Sequence, residues 1–156
     1  MGALILGLWG VPAIAQVGAG SRGLCNAVGS THLEPLRDRE GHNLSVQTFV
    51  CRVEGGPLDG AVLTGTNTYE WDRGVAVGLS GSMIARSGTG TYVAVFRDFG
   101  VTLTMSDGRV TGWVARTTGT YRLATGAASA LNGMTFSTVA RPTGSGQFLL
   151  EITDES

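Results

Sequence analysis

The sequence predicts an all-β chain: a single antiparallel up-and-down barrel of about eight strands, preceded by an irregular N-terminal segment. Three observations carry this expectation. From Asn43 onward the residues alternate with period two and are dominated by Thr, Val, Tyr, Phe and Trp, which suit a pleated, half-buried surface. The links between the runs are short and made of turn-forming residues. Gly65, Gly78, Gly81, Gly112 and Gly119 fall inside the runs, where a closing sheet needs bends. A sandwich with Greek-key crossings would want at least one longer connection, whereas these links are mostly two to four residues.

The expected runs are 43–54, 60–71, 74–86, 90–97, 100–106, 109–123, 134–141 and 146–153. Glu54-Gly55-Gly56-Pro57 ends the first, and Asp72-Arg73-Gly74 separates the second from the third. Ser87-Gly88 follows the third, and Arg97-Asp98-Phe99-Gly100 reads as a turn between the fourth and fifth. Asp107-Gly108, flanked by Thr- and Val-rich runs, is the strongest hairpin signal in the chain. Residues 126–133 are long enough for one helical turn stopped by Gly133. Thr143-Gly144-Ser145-Gly146 makes the last link. A Thr-Gly-Thr motif leading to a tyrosine recurs at 64–69, 89–92 and 118–121. It reads either as recurrent strand composition or as one device, a glycine bend followed by an inward or interfacial tyrosine.

The domain boundaries follow. Residues 1–15 read as a secretory signal: an apolar run from Ala3 closes on Ala13-Ile14-Ala15, a small-x-small cleavage pattern. The usual basic start is missing, since no Arg precedes Arg22. Residues 16–42 are rich in glycine and polar residues and are expected to be irregular, with the barrel domain at 43–156. Export makes the chain secreted or periplasmic, and there the two cysteines, Cys25 and Cys51, are expected to form a disulfide. It would tie the irregular segment to the first strand. No Cys-x-x-Cys supports a redox site or a zinc ribbon.

Composition narrows the function classes. The 156 residues carry a formal net charge of −1, which argues against binding nucleic acid through phosphate neutralisation. No uncharged apolar stretch after the first twenty residues is long enough for a membrane-spanning helix. All eleven basic residues are Arg, scattered along the chain in a way that reads as coding bias. There is no Gly-x-Ser-x-Gly, His-Glu-x-x-His, phosphate-binding loop or dinucleotide fingerprint, and no cofactor is called for. The stretch from His32 to His42 holds both histidines, but its spacing matches no metal signature and its arginines repel a cation. It reads as a solvated charged loop.

An eight-stranded barrel is wide enough to be filled by side chains or to hold one small ligand. Run 43–54 offers Leu44, Val46, Thr48 and Val50 on one face and Ser45, Gln47, Phe49 and Cys51 on the other. Run 74–86 offers Val75, Val77, Leu79, Gly81 and Met83 against Ala76, Gly78, Ser80, Ser82 and Ile84. With the large face inside the barrel is plugged. With the small face inside it has a polar-lined cavity and an apolar exterior. Tyr69, Trp71, Tyr92, Trp113 and Tyr121 are the candidate ligand-binding residues, because small-molecule sites combine aromatics with a few polar groups. The competing reading has the tryptophans packing the core.

At the level of strand count and Gly-rich meander, the stretch from Thr89 to Phe148, with Gly90-Thr91-Tyr92, Asp107-Gly108 and Asn132-Gly133, resembles several families of small barrels. These are lipocalin-like and avidin-like binders and the allene-oxide-cyclase and dirigent type of barrel. The lipocalin Gly-x-Trp signature near the first strand is missing. The resemblance implies a fold and carries over no site residue. The expected function is a binding module for a small, largely apolar ligand or a protein partner. A second reading is a cofactor-free cyclase or isomerase with Glu70, Tyr69 and Arg122 as the residues to test. A third is a structural envelope or assembly subunit, compatible with a homo-oligomer, using an outward apolar face.

Overall fold

The structure, a computed structural model, describes residues 20–155, and for residues 30–32 the backbone alone. The reading of 1–15 as a signal lies outside the described residues. Eight antiparallel strands close into a barrel in the order β1 to β8, each paired with its neighbours in sequence and β1 paired with β8. The strands are β1 Ser21–Pro35, β2 Asn43–Glu54, β3 Val62–Asp72, β4 Val75–Arg86, β5 Gly90–Ser106, β6 Arg109–Gly126, β7 Thr135–Gly144 and β8 Gln147–Glu155.

The count of eight is as expected, but two of its members differ. Much of the segment expected to be irregular is β1; among its described residues Gly20 and the loop 36–42 stay outside the sheet. The two runs 90–97 and 100–106 are one strand. Arg97-Asp98 is a bulge in β5, with Phe96 and Phe99 paired to Gly119 and Thr117 of β6 on either side. Turn-type residues inserted into a ladder produce a bulge as readily as a reversal. The Asp107-Gly108 hairpin forms with both residues at positive φ, 50° and 74°, the conformation a two-residue type I′ turn requires. The expected helical turn is a short 3-10 turn at Ser129–Leu131, with Gly133 following at φ 82°.

Cys25 and Cys51 face each other across β1 and β2 and form a buried disulfide. It joins two strands of the barrel, not a loose segment to a strand.

The glycines inside the strands make room for rings. A Cβ on Gly65 would stand 2.1 Å from the Phe49 ring, one on Gly78 2.3 Å from Phe99, one on Gly81 2.4 Å from Phe96 and one on Gly119 2.3 Å from Phe136. Four phenylalanines thus lie flat on bare backbone, and the sheet curls over them. Gly112 has no such partner, only Thr104 at 4.0 Å. The tyrosines that follow the Thr-Gly-Thr motif, Tyr69, Tyr92 and Tyr121, are all buried, but of its glycines Gly65 and Gly119 lie under rings while Gly90 meets backbone atoms.

The interior is filled at one end only. The end holding Gly20, the β2–β3 loop and the 3-10 turn is closed by Leu58, Leu63, Ala85, Tyr92, Tyr121, Leu131, Phe136 and Ile152. The opposite end carries the β1–β2, β3–β4, β5–β6 and β7–β8 links and remains open. The choice between a plugged barrel and a barrel with a cavity is therefore settled half by half.

Candidate functional site

The open half holds a cavity of about 260 Å³. The small face of β2 points into it through Ser45, Gln47 and Phe49, while Val46 stands outside. On β4 the alternation does not run straight through. A register shift opposite Thr68 and Tyr69 puts Val75, Val77 and Leu79 outside and Met83 inside, so the single face read from the sequence is split. Val101 and Leu103 of β5 and Phe148 and Leu150 of β8 complete the apolar lining. The exposed Gly144, Gly146 and Gln147 lie at the mouth.

Of the five aromatic candidates the structure brings three together. Tyr69, Trp71 and Trp113 line the cavity. Tyr69 and Trp71 have ring centroids 6.2 Å apart, and Trp113 meets Phe148 edge-on at 5.6 Å. Trp71 Nε1 donates to Ser45 Oγ at 2.7 Å, which fixes the indole at the rim. Tyr92 and Tyr121 stand in the closed half and do not line the cavity. They pack edge-on at 5.0 Å, and the Tyr121 hydroxyl donates to Asp154 Oδ1 at 2.6 Å. Burial holds both phenols well above the ordinary tyrosine pKa. Burial also raises the Asp154 carboxyl, against the lowering effect of the Tyr121 bond.

The cavity wall carries no ionisable carboxylate or arginine among the described residues. Glu70 is not part of it; its carboxylate binds His42 instead. Arg122 is exposed and likewise absent from the lining. Tyr69 is the titratable group that does line the cavity, and burial pushes its pKa up to about 12. At neutral pH it is therefore a hydrogen-bonding phenol. Asn67 Nδ2 donates to its hydroxyl at 2.9 Å. The Asn67 Oδ1 has no hydrogen-bond partner and lies where a Cβ on Gly81 would come within 2.9 Å.

Sequence reasoning missed Gln47, Asn67, Thr117 and Thr138 as a set, although β2's small face was one of the two considered. They come from four strands, and only the barrel's closure joins them.

Outside the cavity, the loop 36–42 is latched onto β3. The buried His42 ring donates from Nδ1 to Asp38 at 2.5 Å and from Nε2 to Glu70 at 2.7 Å. Only the doubly protonated ring donates from both nitrogens. The Asp38 bond, then the Glu70 bond, raise the His42 pKa above its ordinary value, and the His42 bond lowers that of Asp38. Arg39 adds exposed contacts to Asp38 and Asp72 at 2.6 and 3.1 Å, which contribute little. The charged loop read from the sequence is thus internally paired around His42, while the His32 side chain lies outside the described residues.

The sign of the pH effect follows. A histidine with a raised folded pKa stabilises fully below its unfolded pKa and loses that contribution as pH rises through the folded value. Asp38 acts oppositely, losing its contribution as pH falls through its lowered value. The thermal stability advantage of the wild type over His42→Gln is expected to be largest between about pH 4 and 6.5 and to shrink above that range. Melting curves of both proteins across pH check this; a constant difference up to pH 9 would sink it.

No protein-family model and no curated protein matches the chain. The reading of this barrel therefore rests on its own geometry.

Proposed function

We propose that this barrel is a binding module that holds one small, uncharged, largely apolar molecule in its open half. The observation that carries the reading is the contrast between the two halves. One end is packed shut with aromatic and aliphatic side chains, while the other surrounds about 260 Å³ with Phe49, Tyr69, Trp71, Phe96, Trp113 and Phe148. Aromatic walls with a few polar groups suit a small-molecule site. A wall without ionised groups disfavours a charged ligand, since burying an unpaired charge is costly. The same feature gives no support to acid–base catalysis by Glu70 or Arg122.

Export belongs to the same reading. A bonded cysteine pair fits an oxidising compartment, and residues 1–15 have the pattern of an export signal. We place the mature protein outside the cell or in the periplasm. No described helix is long and apolar enough to cross a membrane. One observation favours a protein partner as a second reading. Val75, Val77 and Leu79 stand outward along β4, Val77 being 61% exposed.

Native mass spectrometry of protein purified from its own host tests both. The expected result is a mature chain starting at Gln16 that carries one discrete small-molecule mass. An empty chain that binds no neutral aromatic compound, recovered only in larger assemblies, would replace the ligand reading with the partner reading.

A further inference from the structure

Four of the cavity's polar side chains form two cross-strand pairs. Gln47 of β2 is the cross-strand partner of Asn67 of β3, and Thr117 of β6 is the cross-strand partner of Thr138 of β7. All four line the cavity. In a closed ring of eight strands, the β2–β3 pair lies across from the β6–β7 pair. The two polar pairs therefore face each other across the cavity, on strands that also bring Phe49, Tyr69, Trp71 and Trp113 to its lining. Between them stand Phe96, Val101 and Leu103 of β5 on one side and Phe148 and Leu150 of β8 on the other, with Gln147 of β8 at the mouth.

One buried polar atom of this set has no hydrogen-bond partner among the described residues, Asn67 Oδ1. Gln47 and Thr117 are half-buried, and no side-chain hydrogen bond of these two or of Thr138 is seen among the described residues. Thr138 is only 6% exposed. Buried polar groups nearly always find partners, in the protein, in ordered water or in a ligand. Threonine at an inward position of a barrel strand is also a poor space-filler if its hydroxyl has nothing to bond. An apolar interior would be better served by valine, the same shape without the hydroxyl.

We infer that the cavity selects a flat, uncharged ring system bearing hydroxyl or amide groups at two opposite edges. One edge is met by Gln47, with the Tyr69 hydroxyl beside Asn67, and the other by Thr117 and Thr138. The aromatic side chains cover the faces. Size agrees: an apolar cavity of about 150 Å³ holds benzene, so about 260 Å³ takes two fused rings. This inference rests on the ligand-binding reading above and adds the chemistry of the ligand.

Calorimetric titration with three probes tests it: 2,6-dihydroxynaphthalene, 2,6-dimethoxynaphthalene and naphthalene. Wild type is expected to bind the dihydroxy compound at least about tenfold tighter than either of the others. Thr138→Val, which keeps the shape, is expected to cut that preference at least about threefold while naphthalene binding holds. Gln47→Leu is expected to do the same from the opposite wall, so the test survives if one variant fails to fold. Equal binding of all three probes by wild type would overturn the two-edge inference and leave the ligand-binding reading standing, the polar groups then being served by water. Failure of all three to bind would overturn both.

Discussion

Alanine at position 119 is expected to destabilise the barrel by about 3 kcal/mol, the upper end of the usual range for overpacking. The added methyl would meet the Phe136 ring at 2.3 Å and, more seriously, the carbonyl oxygen of Val95 at 2.6 Å. A ring can tilt, but a carbonyl in the β5–β6 ladder cannot move without breaking the pairing around Phe96 and Gly119. For a chain of this size the loss corresponds to a melting temperature lower by about 6–12 °C. Gly65→Ala is expected to cost less, because its contacts are all with the end of the Phe49 ring. Adding Phe49→Leu should recover part of that loss. Gly88→Ala has nothing within 4 Å and serves as the control, with a change within about 0.5 kcal/mol. Thermal melts of the four variants decide it. Equal losses at 119 and 88 would show that close contacts at the added methyl do not set the cost.

Removing the disulfide is expected to have an effect of similar size by a different route. The bond closes a segment with a sequence separation of 26 residues. In the chain-entropy model such a loop contributes about 3.5 kcal/mol, chiefly by restricting the unfolded chain. Cys25→Ala with Cys51→Ala should therefore lower the urea midpoint. The same pair of changes should raise the slope, because an uncrosslinked chain exposes more surface on unfolding. The fold should survive, since β1 is also held by β8 through the pairs from Ser21↔Ile152 to Asn26↔Gln147. A double variant with an unchanged midpoint would mean that β1 is already ordered against β2 in the unfolded ensemble.

These two effects also show where the sequence speaks and where it does not. The in-strand glycines are visible in the sequence as candidates for bends, because a β-strand rarely tolerates them otherwise. What the sequence withholds is that a particular phenylalanine of a neighbouring strand covers Gly65, Gly78, Gly81 and Gly119, and none covers Gly112. β1 escapes notice for a related reason. Gly23 and Cys25 are buried and Ala27 lines the cavity, while Leu24 and Val28 are exposed, so neither face is cleanly polar. Gly23 is needed there because a Cβ would stand 3.1 Å from that of Cys51. Without contrast between faces, period two leaves no mark. The bulge at Arg97-Asp98 is written in the same residues as a turn, and only the continued ladder with β6 separates them.

The site is legible in the same partial way. Aromatic residues near strand ends are readable, and Tyr69, Trp71 and Trp113 do meet in the cavity. Tyr92 and Tyr121 look identical in sequence yet lie in the packed half, because depth along the barrel axis depends on strand tilt and register, not on residue type. The His42 latch needs two residues that are 28 positions apart to meet, which no local pattern encodes.

The up-and-down connectivity has a practical corollary for anyone handling this molecule. Ser21 and Ile152 are paired neighbours, so both ends of the described chain leave from the sealed base of the barrel. The mouth, with its Gly144-Ser145-Gly146 hairpin, faces the other way. A fusion, an affinity handle or a surface tether joined at Gly20 or Glu155 therefore presents the cup upright, its opening clear of the attachment. The proximity of the ends also permits a rewired chain, joined by a short linker at the base and cut within an exposed link at the lip, that keeps every strand beside its original neighbours.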